Sequence, residues 1–229
     1  MKITSIGSSS KGNCHYVEMN GTRFLLDAGI STREINKELG FTTSTIDGIL
    51  LTHEHGDHSK SIKALMSVGI DVYASQGTFN ALGIDHYRAN PVRVGERFKM
   101  GNVDVLPLMA IHDAAEPLVY LIDGGGARLL YITDTMYVKY NIKGVTHLIV
   151  ECNYSTDILR SADTNNALKR RITKSHMSIE TVERMINGMD KSALQHVYLT
   201  HLSDNHSDEN QFRERVQRLT GVEVDVFSA

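Results

Sequence analysis

The chain has 229 residues, 41% hydrophobic and 22% charged, with a formal net charge of −3. That length supports one sizeable core, so a single domain over residues 1–229 is expected. The charge excludes a global pull on nucleic acid or an anionic membrane, so a polyanionic partner must be held by a local patch or by metals.

Cys14 and Cys152 are too few for a disulfide framework and fit a reducing, cytoplasmic setting. Met1–Gly7 lacks the apolar core of a secretory signal, and no stretch approaches the ~20 apolar residues of a spanning helix, so no membrane partner is expected. Short apolar runs predict strands at Lys2–Ile6, His15–Met19, Phe24–Asp27 and Gly48–Thr52. Further strands are predicted at Val72–Ala74, Val103–Leu108, Leu118–Ile122, Arg128–Ile132, His147–Val150, Val197–Thr200 and Val222–Val226. Helical patterns fall at Thr32–Leu39, Ser59–Ser67, Ser178–Gly188 (with Ser178 as its cap) and Asp208–Leu219. Strands in meanders with helices flanking each set predict an α/β fold, two packed sheets with helices outside in a four-layer αββα sandwich.

The eleven histidines need a reason, and six consecutive residues supply one: His53-Glu54-His55-Gly56-Asp57-His58. The run follows the apolar strand Ile49-Leu50-Leu51-Thr52 and precedes a predicted helix, so its side chains can converge on one point. On extended backbone His53 and His55 face the same side, while Asp57 and His58 turn the other way and can serve a second metal. A lone histidine is more often a satisfied structural residue. Three histidines and two acids directly after a buried strand are not explained that way. Imidazole with carboxylate suits zinc, iron or manganese. Asp27, His112-Asp113, Asp134 and His201 end apolar strands in the same manner, and an acid such as Asp134 can bridge two cations.

The series Asp27, His53-x-His55-x-Asp57-His58, His112, Asp134 and His201 resembles the five motifs of the metallo-β-lactamase fold, in order and over nearly the whole chain. Within that superfamily the sequence is most similar to the YycJ/WalJ branch of nuclease-like hydrolases. Gly7-Ser8-Ser9-Ser10-Lys11-Gly12-Asn13-Cys14, Leu26-Asp27-Ala28-Gly29, His112-Asp113-Ala114, Thr133-Asp134-Thr135 and Thr200-His201-Leu202-Ser203 carry that similarity. The chain departs from the branch at Met136 and Ser175, where glycine is usual, and at Asp204-Asn205-His206-Ser207 in place of an Asn-rich stretch.

The resemblance implies that His53, His55 and His112 hold one metal, that Asp57, His58 and His201 hold the other, and that Asp134 bridges. Asp27 would fix a ligand's orientation through hydrogen bonds. Two cations, Zn2+ or Mn2+, about 3.5–4 Å apart would generate hydroxide at neutral pH and favour an anionic phosphodiester. Glu151 and His176 resemble the pair with which phosphodiesterases of the superfamily protonate the leaving oxygen; a surface acid and a capping histidine are the plainer reading. With Asp57 they form the expected catalytic set. Lys169-Arg170-Arg171 and Lys174 precede His176 as a solvated basic face or a phosphate contact, and Lys11 in the Gly/Ser loop, whose N–H groups can also face a phosphate, is a weaker candidate. His15, His86, His147, His196 and His206 read as structural or surface residues.

The implied activity is that of a metal-dependent phosphodiesterase, a 5′→3′ exonuclease with DNA preferred over RNA. The alternatives are a small-molecule hydrolase acting on a cyclic phosphodiester, thioester or lactone, and a non-catalytic nucleic-acid-binding protein that keeps metal for folding.

Overall fold

A computed structural model describes residues 1–227. The described chain divides into two compact units: Met1–Met109 with Ala114–Ala127, and Ala110–Asp113 with residues 128–227.

The first unit opens with an antiparallel meander of β1 (Lys2–Ser9), β2 (Gly12–Met19) and β3 (Thr22–Leu26). Its second turn is Asn20-Gly21, both at positive φ (51° and 76°), the pairing that a two-residue hairpin loop favours. The sheet continues in parallel through β4 (Gly48–Leu50), β5 (Val72–Ser75) and β6 (Ala89–Val92), giving six strands in chain order. Parallel neighbours need crossovers. These are α1 (Thr32–Glu38), the pair α2 (Gly56–Ser59) and α3 (Ile62–Ser67), and α4 (Gln76–Leu82). At the start of α1, Ser31 Oγ accepts from Glu34 N (3.2 Å) and Glu34 Oε2 from Ser31 N (3.0 Å), a reciprocal cap.

Leu25, Ile49, Leu51, Val72 and Ala74 present one face of these strands to Ile35, Ile62, Leu65, Met66 and Phe79 of the helices. Each of the larger side chains contributes about 1.5–3 kcal/mol by burial. This packing fixes the end of β4, after which the histidine-rich run begins. The unit also holds a second antiparallel meander, β7 (Phe98–Met100), β8 (Val103–Met109) and β9 (Leu118–Gly124).

In the second unit β10 (Ala127–Ile132), β11 (His147–Glu151), β12 (His196–Thr200) and β13 (Glu223–Val226) pair in parallel in chain order. Their apolar runs, such as Leu129–Ile132 and Leu148–Val150, are buried without alternation, as strands covered on both faces require. Helices α5 (Thr156–Ser161), α6 (Asn166–Ser175) and α7 (Ile179–Gly188) lie between β11 and β12, and α8 (Glu209–Thr220) between β12 and β13. Ser178 caps α7 by accepting from Thr181 N. Arg215 of α8 clamps Glu183 of α7 through two hydrogen bonds of 2.8 and 2.7 Å.

Several elements depart from the sequence expectations. The predicted helix Ser59–Ser67 is two helices, because Ser61 leaves the helical ladder: its N–H donates to Ala28 O (2.9 Å) and its hydroxyl to Ile30 O (2.5 Å). The strands β6 and β7 and the helices α4, α5 and α6 were not expected. β6 is a four-residue edge strand carrying Pro91, and α6 buries only Ile172 and Ser175, so neither offers an extended apolar run. Among the described residues no helix is long and apolar enough to cross a membrane.

Candidate metal centre

In the first unit the histidine-rich run begins past β4 and continues into α2, which contains Gly56, Asp57 and His58. Asp27, just past β3, is fully buried; its Oδ1 accepts from Thr52 N (2.8 Å), and its Oδ2 lies 2.9 Å from His58 Nδ1. Thr52 Oγ1 lies 3.0 and 3.1 Å from the two Asp27 oxygens and 3.0 Å from His53 Nδ1. A carboxylate can only accept, so Asp27 takes both the His58 Nδ1 proton and the single Thr52 hydroxyl proton. Thr52 Oγ1 must then accept from His53 Nδ1. Both imidazoles are left with the lone pair on Nε2, the form a cation requires. Asn13, which the sequence reading did not single out, places Nδ2 3.2 Å from His58 Nε2.

The His53 ring packs 4.6 Å from that of His55 and 4.2 Å from that of His58. Asp57 Oδ2 is 3.6 Å from His58 Nε2, close to the roughly 3–3.5 Å separating two donors that share one cation at ~2.0–2.1 Å. Glu54 points its Oε1 to Ala115 N (2.7 Å) and ties the run to a neighbouring loop. Gly29 passes so close beneath this turn that a Cβ on it would meet the Asp57 carbonyl oxygen at 1.6 Å.

The second unit gathers His112, Asp134, Glu151, His176 and His201. His112 Nδ1 donates to Ser175 O (3.0 Å), so its lone pair also falls on Nε2, which lies 3.5 Å from Asp134 Oδ2. Burial lowers the His112 pKa, against the pull of Asp134, and keeps the ring neutral. The other Asp134 oxygen, Oδ1, lies 2.9 Å from His201 Nδ1 and accepts from Thr133 Oγ1 at 2.9 Å. Asp134 thus offers one oxygen to each of two histidines.

Glu151 is fully buried at the end of β11 and organises the rest. Its Oε1 accepts from Thr135 N (3.0 Å) and Met177 N (2.8 Å), and its Oε2 from His176 Nδ1 (3.0 Å). One carboxylate therefore holds the segment after Asp134 as well as the histidine. The His176 ring stands 5.2 Å from His201 and 5.6 Å from His112, and donor atoms of Asp134, Glu151 and His176 lie within 4.8 Å of one another. Asp27, Asp134 and His201 all take positive φ, at 59°, 42° and 56°.

The expected phosphate contacts divide. Arg170, Arg171 and Lys174 are exposed on α6 and none is ion-paired among the described residues. Lys169 is not available with them, because its Nζ donates to the carbonyls of Arg160 and Ala162 at the end of α5. The Gly/Ser segment forms the closed end of the β1–β2 hairpin, with Ser8 paired to Asn13 and Ser9 to Gly12, and Lys11 sits at its exposed tip. His206 is structural, between Ser203 Oγ (3.0 Å) and Thr164 Oγ1 (2.9 Å). Thr52, Ser175 and the second duty of Glu151 had no sequence signal, since each acts through a backbone group or a single hydroxyl whose partner is distant along the chain.

The donor set fits divalent cations: His53, His58 and His112 each turn Nδ1 to an acceptor and so carry the Nε2 lone pair that a cation needs, with Asp57 close to His58 and Asp134 close to His112. Residues 22–202 match the beta-lactamase superfamily domain. The chain is 33% identical to the exodeoxyribonuclease YycJ of Bacillus anthracis, over 91% of this chain and 85% of that one. It is 29% identical to the exodeoxyribonuclease WalJ of Streptococcus pneumoniae, over 98% and 90%. Its fold is similar to that of the metallo-β-lactamase fold protein YhfI from Bacillus subtilis, with a TM-score of 0.77, 18% identity and coverage of 99% and 96%. With a mixed α/β fold, strands in two sheets and this donor set, the chain belongs to the metallo-β-lactamase-fold hydrolases, in the YycJ/WalJ branch, and is a metal-dependent hydrolase.

Proposed function

We propose that the protein is a 5′→3′ DNA exonuclease of the cytoplasm, in which both units serve as one catalytic domain around two divalent cations, Zn2+ or Mn2+. In this reading His53, His55 and His112 would hold one cation, Asp57, His58 and His201 would hold the other, and Asp134 would serve both, as the family resemblance implies. The relatives named as exodeoxyribonucleases support a nucleic-acid substrate. When bound, the cations would supply the Lewis acidity that ionises a water near neutral pH and offsets the phosphate charge.

The observation that carries the reading is the Glu151–His176 pair. A phosphodiester leaves as an alkoxide and needs a proton. An imidazole whose Nδ1 donates to a buried carboxylate at 3.0 Å is held in place and made more basic, with Nε2 left to deliver that proton. Arg170, Arg171 and Lys174 lie two to six residues before His176 and would track the strand's phosphates, with Lys11 as a fourth cation. The three on α6 alone would give a logarithmic salt slope of about −2 to −3 in DNA binding.

The test is purified protein with Mn2+ or Zn2+ on single-stranded and duplex DNA, and on RNA, labelled at either end. Early release of the 5′ label as mononucleotide, before any loss of the 3′ label, is expected. No shortening of any strand, alongside turnover of a cyclic phosphodiester or a thioester, sinks the reading.

A further inference from the structure

The second unit contains a cavity of about 680 Å3 that holds none of the expected metal ligands and borders the acid–base pair at His176. Its walls include Met136, Tyr137, Tyr140, Tyr154, Met185 and Met189, a lining of aromatic rings and thioethers. Lys139 and Arg184 also line it, and among the described residues no aspartate or glutamate does. Arg184 is bonded to Glu180 O (3.3 Å) and Thr181 Oγ1 (3.1 Å), and among the described residues its charge meets no carboxylate. Tyr137 and Met136 are 50% and 40% exposed, open to an incoming ring. His176 forms part of the same wall.

Such a lining favours a flat, apolar ring bearing negative charge. Rings stack on tyrosine faces and pack on methionine sulfur, and the unpaired cations suit a phosphate. The volume lies within the roughly 300–1,000 Å3 of pockets that enclose one small ligand, and a nucleotide is of that size. We propose that this cavity receives the 5′-terminal nucleotide of the substrate strand, on the leaving side of the scissile phosphodiester, with its base against Tyr137 and its 5′-phosphate toward Lys139 and Arg184.

The placement rests on the nuclease reading and follows from His176 being shared. In a 5′→3′ cut a water oxygen bonds to phosphorus, the bond from phosphorus to the terminal nucleotide's 3′-oxygen breaks, and that oxygen takes the electron pair and the His176 Nε2 proton. The products are a nucleoside 5′-monophosphate with a free 3′-hydroxyl and a strand shortened by one residue that carries a new 5′-phosphate. A space for one nucleotide beside the proton donor makes the mononucleotide the unit of release.

The chain has no tryptophan, so the fluorescence of 2-aminopurine deoxyribonucleoside 5′-monophosphate can be followed in the full-length, metal-free protein. Saturable quenching is expected. It should weaken at least fivefold in Tyr137→Ala and in Arg184→Gln, weaken likewise for the nucleoside lacking the phosphate, and persist in Lys63→Gln on α3. Exposure of Tyr137 makes its loss tolerable to the fold. On DNA with metal supplied, an abasic 5′ end should be removed more slowly than an intact one. No quenching, together with wild-type shortening by Tyr137→Ala, overturns the nucleotide site and leaves the nuclease reading standing. Quenching lost in Tyr137→Ala, in a protein that shortens no strand, sinks the nuclease reading and the leaving-side placement while the nucleotide site itself survives.

Discussion

Gly29→Ala probes how the ligand-bearing turn is supported. The added Cβ would lie 1.6 Å from Asp57 O, 2.1 Å from Asp57 C and 2.7 Å from His58 N. Restoring an ordinary contact of ~3.4 Å needs a displacement of about 1.5–2 Å in a close-packed interior. The turn cannot simply lift, because Ala28 N is bonded to His58 O (2.8 Å) and Ser61 N to Ala28 O (2.9 Å). Overpacking of this kind costs about 1–3 kcal/mol, and a backbone-on-backbone overlap belongs at the upper end. At roughly 2–4 °C per kcal/mol for a chain of this size, Tm should fall by about 6–12 °C. Asp57 and His58 would move well beyond the ~0.5 Å that a metal site tolerates, so metal affinity should drop at least ~10–100-fold. The control lies within the motif itself. A Cβ on Gly56 meets nothing within 4 Å, and its φ is not positive, so Gly56→Ala should be neutral or gain up to ~1 kcal/mol from helix propensity. Thermal melting and elemental analysis read both variants. If Gly29→Ala melts within a degree or two of wild type with full metal content, the support argument is wrong.

Glu151→Gln should keep the backbone contacts to Thr135 and Met177 but offer His176 an amide in place of a carboxylate. Turnover should drop about 10²–10⁴-fold with metal content and melting little changed, and the high-pH limb of the pH–rate profile should move to lower pH; loss of metal instead would assign Glu151 to ligation. Burial, with His196 nearby, pushes the His147 pKa down to about 4. The unfolded chain therefore takes up this proton first as pH falls, so stability is full above about 6.5 and declines toward pH 4. For a part-exposed ring, solvent screening cuts the loss to about 1 kcal/mol. His147→Gln should flatten that decline in urea titrations and match wild type at pH 7.5; an unchanged slope refutes the assignment. Cys14 and Cys152 are fully buried, with both thiol pKa values raised by burial. Neither should react with iodoacetamide until the protein is unfolded, and mass spectrometry of native samples would expose the contrary.

Most of the site was legible because its residues follow apolar strands: Ile49-Leu50-Leu51-Thr52 announces His53, and Val197-Tyr198-Leu199-Thr200 announces His201. The long strands and the amphipathic helices α7 and α8 showed their periods for the same reason. What stayed hidden depends on single hydrogen bonds across the fold. The Thr52 hydroxyl sets the protonated nitrogen of His53 through Asp27, 25 residues earlier. Ser61 breaks a helix by donating to Ile30, 31 residues away. Short edge strands such as β6 span too few residues to show a period, and α6 buries only Ile172 and Ser175 among exposed charges. Lys169 looked equivalent to Arg170 and Arg171 until its ammonium proved to close the end of α5.

Asp27, Asp134 and His201 each turn a strand end through left-handed backbone, a geometry that costs an L-residue about 1–2 kcal/mol where asparagine or glycine is at ease. Selection for heat resistance alone would accordingly favour asparagine at positions 134 and 201, relaxing the main chain and, at 134, removing a buried charge. Directed evolution of a hardier form would have to score turnover in every round, or the sturdiest clones recovered would be inert ones.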